Sequence, residues 1–127
     1  MITKDNFPQL LTSLHFTEHN NIFTKHFETQ DCTLQVDVAK QELLYPEDKG
    51  LVINERQTCN FSSDENFVVF ECVHRLLEKG YLPQHIELEP KWKVGHGASG
   101  GRADILVKSQ NDKPLLLIEC KTAGQEF

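Results

Sequence analysis

Three ionisable side chains, Asp104, Glu119 and Lys121, have the types and spacing of a site that hydrolyses phosphodiesters. They lie in residues 101–121, GRADILVKSQNDKPLLLIECK, which read as two strands joined by a tight turn. Side chains alternate faces along a strand, so Asp104 shares a face with Leu106 and Lys108, while Glu119 and Lys121 share one with Leu115 and Leu117. A reversal at Asn111-Asp112, a pair suited to hairpin turns, sets Asp104 across from Glu119 at roughly 5 Å between Cβ atoms. Two carboxylates held that close repel unless a cation sits between them. Mg²⁺, with Mn²⁺ as a substitute, takes one or two protein carboxylates and keeps positions for water and a phosphate oxygen. Lys121, one pleat beyond Glu119, adds a positive charge beside a metal-bound water. A cross-strand charge cluster without chemistry is the plainer reading of the same residues.

The elements that must hold this hairpin are legible upstream. The spacing predicts helices over Phe7 to Leu14, with Pro8 in the first turn, and over Glu18 to Phe27. From Asp31 the period changes to two, and Cys32, Leu34, Val36 and Val38 alternate with polar residues as in a half-buried strand. Glu42 to Tyr45 and Leu51 to Asn54 read as short strands around a Pro46–Gly50 turn. Asp37 and Glu55 are further acids here, read as solvated strand residues. A long helix starts at Ser62, with Glu65 three residues on as its capping-box partner, and stops at Gly80. Its apolar stripe is Val69, Phe70, Val73, Leu76 and Leu77; Phe67, Glu71, His74 and Glu78 fall on the far side, where Glu71 can pair with Arg75. Tyr81 to Val94 is expected to form another strand packed through Ile86, Leu88 and Trp92. The glycine-rich run from Gly95 to Gly101 follows, without the Gly-Lys-Ser/Thr of a P-loop. The whole predicts an α+β (α/β/α-like) fold, a mixed β-sheet with a central antiparallel hairpin flanked by helices.

Composition narrows the function classes. A chain of 127 residues makes one domain with a real core, and its charged fraction of 25% is ordinary for a soluble protein. No apolar run approaches the roughly 20 residues of a membrane span, and no signal segment opens the chain, so a cytoplasmic protein is the expectation. The four cysteines and six histidines show no zinc spacing. A net charge of −6 argues against a free-standing DNA binder. Around the hairpin the balance reverses: Lys91, Lys93, Arg102, Lys108 and Lys113 outnumber Asp104 and Asp112. Lys93, Gly100, Gly101 and Arg102 are accordingly the candidate contacts to DNA phosphates.

Asp104 followed by Glu119-Cys120-Lys121, set in GRADILV and LLLIECK, resembles the core of the PD-(D/E)xK nucleases. It is similar to the N-terminal nuclease domain of type I restriction enzymes and related restriction-modification polypeptides. The likeness covers Ser62 to Phe127. It implies a restriction-endonuclease-like core over residues 61–127, preceded by a packing or docking part over 1–60. It also implies a Mg²⁺-dependent endodeoxyribonuclease acting on foreign double-stranded DNA, with Asp104 and Glu119 on the metal, the Cys120 carbonyl as a further ligand and Lys121 orienting water. Such nucleases often bring another acid from the preceding helix, which makes Glu71 a candidate. By the same likeness the core is C-terminally truncated, the isolated piece is expected to be inactive or nearly so, and motor, methyltransferase and specificity functions belong to other domains or subunits. The alternative is an inactive module of this shape that docks to DNA or a partner subunit.

Overall fold

The structure, a computed structural model, describes residues 2–90 and 103–120. Helix α1 (Phe7–Ser13) begins with Pro in its first turn, where the missing N–H costs nothing, and buries Phe7 and Leu11 completely. The expected second helix is instead a hairpin, β1 (Thr17–His19) and β2 (Ile22–Phe27). Asn20 and Asn21 occupy the left-handed region at φ 53° and 67°, the conformation of a two-residue hairpin turn that asparagine tolerates. The strand period was hidden because the inward face of β2 reads Phe23, Lys25, Phe27, with a lysine in the middle.

That lysine explains a second difference. The Lys25 ammonium donates to the Leu14 carbonyl at 2.7 Å and to Glu78 Oε2 at 2.9 Å, and lies 2.8 Å from His74 Nε2. His74 is therefore buried, between the Phe16 and Phe27 rings, although the helical stripe put it on the polar side. Burial, and then the Lys25 charge, push the His74 imidazole below its ordinary value. A histidine held neutral in the fold adds stability that is complete above its unfolded value of about 6.5 and declines as pH falls below it. The urea midpoint is thus expected to drop between about pH 7.5 and about pH 5.5, and His74→Gln should flatten that drop. An unchanged slope in the variant would remove His74 from the acid sensitivity.

Strand β3 (Cys32–Asp37) alternates buried and half-buried residues as its sequence demands, and β4 (Glu42–Leu44) completes an antiparallel sheet in the order β1-β2-β3-β4. The Pro46–Gly50 turn carries the chain from this sheet to a second one. Gly50, at φ 103°, meets Gln84 so closely that an added Cβ would lie 2.9 Å from the Gln84 Cβ. Strand β5 (Val52–Ile53) then pairs parallel with β6 (Ile86–Leu88), so the first 60 residues contribute to the second sheet. Strands β7 (Ile105–Lys108) and β8 (Pro114–Ile118) extend it antiparallel, in the order β5-β6-β7-β8. Within the described residues the strand expected from Tyr81 to Val94 is confined to Ile86–Leu88; Trp92 lies outside them. Strand β8 forms the sheet edge, with Leu115, Leu116 and Leu117 exposed, and the β7–β8 register is irregular at Val107/Lys108, facing Pro114. The register slip and Pro114 blunt an open edge, whereas the exposed leucines leave it apolar.

Helix α2 (Asp64–Glu78) is capped by Ser63, whose Oγ accepts from the Glu65 N–H at 3.2 Å, one residue later than the capping-box reading. Glu65 is thereby the second helical residue rather than the third, and its carboxylate does not close a box. Asn66 takes the third position and donates to the carbonyls of Gln57 and Asn60. Phe67, expected on the polar side, is fully buried and stacks on Phe7 at 4.6 Å. The helix is apolar on more than one face because elements of both sheets join a single core that includes Phe7, Leu34, Phe70 and Ile105. Among the described residues the fold is mixed α+β with two α-helices and two sheets. Among the described residues no helix is long and apolar enough to cross a membrane.

Candidate functional site

The β7–β8 register pairs Ile105 with Ile118, Leu106 with Leu117 and Val107 with Leu116, the alignment that carries Asp104 toward Glu119. Both side chains line one cavity of about 350 Å³, together with Glu55, Glu65, Asn66 and Glu89. Five acidic residues from five segments line it: Glu119 just past β8, Asp104 just before β7, Glu89 just past β6, Glu65 in the first turn of α2 and Glu55 just past β5.

Asp104 is the fixed point. It is 9% exposed; its N–H donates to the Ile118 carbonyl at 2.8 Å, its carbonyl accepts from the Glu89 N–H at 2.8 Å, and its Oδ2 accepts from the Cys120 N–H at 2.6 Å. A short bond from a backbone N–H to a carboxylate is a strong, charge-assisted one, and it fixes the carboxylate orientation. Glu89 adopts a left-handed φ of 49°, a local strain of the kind that accompanies functional sites, and this turns the chain at the end of β6 alongside Asp104. Glu119 is exposed at the cavity rim.

Glu65 is half-buried at the start of α2. Burial pushes its carboxyl above the ordinary value, and the charge of Asp104, a side-chain hydrogen bond to Asp104, and the charges of Glu89 and Glu119 push it further. The cavity thus gathers carboxylates whose mutual charge is felt at Glu65. Hard oxygen donors in this number suit Mg²⁺ or Mn²⁺ rather than a soft metal. Among the described residues no group of three or more His, Cys, Asp or Glu side chains has the close spacing of a formed metal cluster.

Glu71 lies elsewhere. Its Oε2 accepts from Arg75 Nη2 at 2.7 Å and from Arg75 Nε at 3.2 Å, and it does not line the cavity. Six residues further along α2 is about 9 Å of rise, so the helix carboxylate that faces Asp104 is Glu65. The sequence assigns Glu65 to a cap, which hides its place on the cavity wall. Glu89 was missed as well, although it directly follows the strand that pairs with β7. Glu55 enters the cavity wall, while Asp37 remains on the first sheet, accepting from the Lys40 N–H.

Cys120 is buried and Cys72 of α2 is half-buried, and neither is in a disulfide. Lys121, Arg102, Gly100, Gly101 and Lys93 lie outside the described residues. No protein-family model matches this chain, and no curated protein matches it significantly.

Proposed function

We propose that the chain is the core of a Mg²⁺-dependent DNA endonuclease of the PD-(D/E)xK type, akin to the nuclease part of type I restriction enzymes. Its substrate is the phosphodiester backbone of foreign double-stranded DNA. The observation that carries this reading is that Asp104 and Glu119, on the two arms of a hairpin, line one cavity with three other carboxylates. Carboxylates crowded in this way are costly without a cation, and the donor set is all oxygen.

In this reading Asp104 and Glu119 hold the ion, with the Cys120 carbonyl as a further ligand. The Cys120 N–H engages Asp104 Oδ2, so Oδ1 is the oxygen assigned to the ion. When bound, the metal supplies a more acidic water and neutralises charge on the phosphate. Lys121 orients that water and meets the charge that develops on the phosphate oxygens. Glu65 replaces Glu71 as the helix carboxylate, tuning the field around Asp104. Lys93, Arg102 and the amides of Gly100 and Gly101 grip DNA phosphates, and motor, methyltransferase or specificity partners supply the rest of the DNA recognition.

A plasmid-cleavage assay on a polypeptide bearing this sequence tests the reading. Mg²⁺-dependent cutting is expected, and Lys121→Ala should lower it on the order of 100-fold or more, as removal of a proton-handling group does. Full cleavage by Lys121→Ala would instead favour the docking module, in which the same residues bind without cutting.

A further inference from the structure

A second cavity, of about 370 Å³, opens on the first sheet and shares no described residue with the acidic one. His26, Asp31, Thr33, Leu44 and Lys49 are among the residues that line it. Cys32 and Leu34 of β3 are buried, so Thr33 between them faces outward. Its cross-strand partner is His26 of β2, and His26 Nδ1 lies 2.9 Å from Thr33 Oγ1. On the opposite side of the ring, Nε2 lies 3.7 Å from Asp31 Oδ1. Asp31 closes the β2–β3 turn at a left-handed φ of 53°, a conformation that residues other than glycine seldom adopt. Its second oxygen, Oδ2, accepts from Lys49 Nζ at 3.3 Å, so both carboxylate oxygens are engaged.

We propose that Thr33, His26 and Asp31 act as nucleophile, base and orienting carboxylate in the hydrolysis of small carboxylic esters in this cavity. A hydroxyl within hydrogen-bond reach of an imidazole, itself oriented by a third group, is the arrangement that nucleophilic catalysis uses. The Asp31 charge favours the tautomer that carries its proton on Nε2, which leaves the Nδ1 lone pair for the Thr33 hydroxyl. Thr33 Oγ1 attacks the ester carbonyl carbon as its proton passes to His26 Nδ1, and the imidazolium so formed faces Asp31. When the tetrahedral adduct collapses, the ester C–O bond breaks and the leaving alcohol takes the proton from Nδ1. A water then gives a proton to the same nitrogen and attacks the acyl carbon; the acid departs and the proton returns to Thr33 Oγ1. One ester and one water become one acid and one alcohol, with no other reagent. Leu44 and Pro46 on the cavity wall suit an apolar acyl group. The activity is independent of the nuclease reading, since it uses none of the same residues.

The test needs neither DNA nor a metal, so its outcome is separate from that of the cleavage assay. The folded chain, in EDTA, is mixed with p-nitrophenyl acetate and the release of p-nitrophenolate is followed by absorbance. Turnover faster than that of the urea-unfolded chain is expected, and acid quenching followed by peptide mass spectrometry should find the acetyl group on Thr33. Thr33→Val and His26→Gln should each lower the rate on the order of 100-fold, the loss that follows removal of a nucleophile or its base. Thr33→Ser keeps a hydroxyl and should stay within a few-fold of wild type. Circular dichroism checks that the variants fold; where Thr33→Val does not, the Thr33→Ser rate and the position of the acetyl group decide. Equal rates in wild type and Thr33→Val, an acetyl group on His26 or a lysine in place of Thr33, or turnover no faster than in the unfolded chain would each overturn the proposal.

Discussion

Asp104→Asn is expected to raise the thermal midpoint of the chain in metal-free buffer and, in the same variant, to erase the further rise that Mn²⁺ or Mg²⁺ gives the wild type. The two halves have one cause. Asp104 is nearly buried and faces Glu65, with Glu89 and Glu119 on the same cavity. At about 5 Å and an effective dielectric constant of about 20, one such pair repels by about 3 kcal/mol, a ceiling that solvent lowers wherever a partner is exposed. Asparagine removes the charge yet keeps a carbonyl oxygen in place for the Cys120 N–H, so a net gain of about 1 kcal/mol is expected. Asp104→Ala behaves differently. It leaves the Cys120 N–H without its acceptor, at about 1–3 kcal/mol, and its midpoint should fall. With free ion at about 100 times the dissociation constant, the wild type gains about 2.7 kcal/mol from binding, and that gain disappears with the ligand. Thermal unfolding of the three proteins with and without Mn²⁺ checks this. An undiminished Mn²⁺ rise in Asp104→Asn would take Asp104 off the metal; a lower metal-free midpoint would refute the repulsion.

How far the sequence could be read depended on whether a residue's role was local. The β7–β8 pairing of Ile105 to Val107 is the one expected, because hairpin pairing is set within a dozen residues. The turn, however, is not the two-residue one: Ser109 bonds Lys113, only Asp112 takes a left-handed φ of 62°, and the slip at Val107/Lys108 restores the alignment. Strand β3 was equally plain, since every second residue is buried. Strand β2 was not, because its middle inward residue is Lys25, and the partners that make a buried lysine tolerable, Leu14, His74 and Glu78, are distant in sequence. Periodicity placed one apolar stripe on α2 but could not see that Phe67 and His74 meet rings contributed by α1, the segment after it and β2. The cavity divides in the same way. Asp104 and Glu119 were legible from one hairpin, whereas Glu65 and Glu89 required knowing that the start of α2 and the end of β6 converge on it. A one-residue shift of the helix cap, from Ser62 to Ser63, was enough to turn Glu65 from a capping residue into a cavity wall.

Phe70→Ala should come close to unfolding the protein, and with it the cavity. Phe70 is completely buried in the middle of α2, and its ring meets Phe7 at 5.8 Å edge-on, Phe16 at 6.0 Å and Tyr45 at 5.4 Å. These partners come from α1, from the segment leading into β1 and from the end of the first sheet, so one side chain joins the helix to most of the N-terminal half. Truncating a buried phenylalanine costs about 3–5 kcal/mol through lost burial and the void left behind. Part of that is the aromatic contacts, at about 0.5–1.5 kcal/mol per pair. A domain of this size has about 5–15 kcal/mol in total, so the loss is a large share of it. Phe70→Leu retains most of the volume and should cost less than half as much, which separates packing from any effect of the substitution on helix propensity. In thermal unfolding followed by circular dichroism the alanine variant is expected to melt more than about 10 °C below wild type. A loss under about 1 kcal/mol would mean that the two sheets do not depend on this helix. The site depends on the same packing, because Glu65 reaches Asp104 only while α2 is seated, and no hydrogen bond among the backbone atoms of α2 and β7 substitutes for that core.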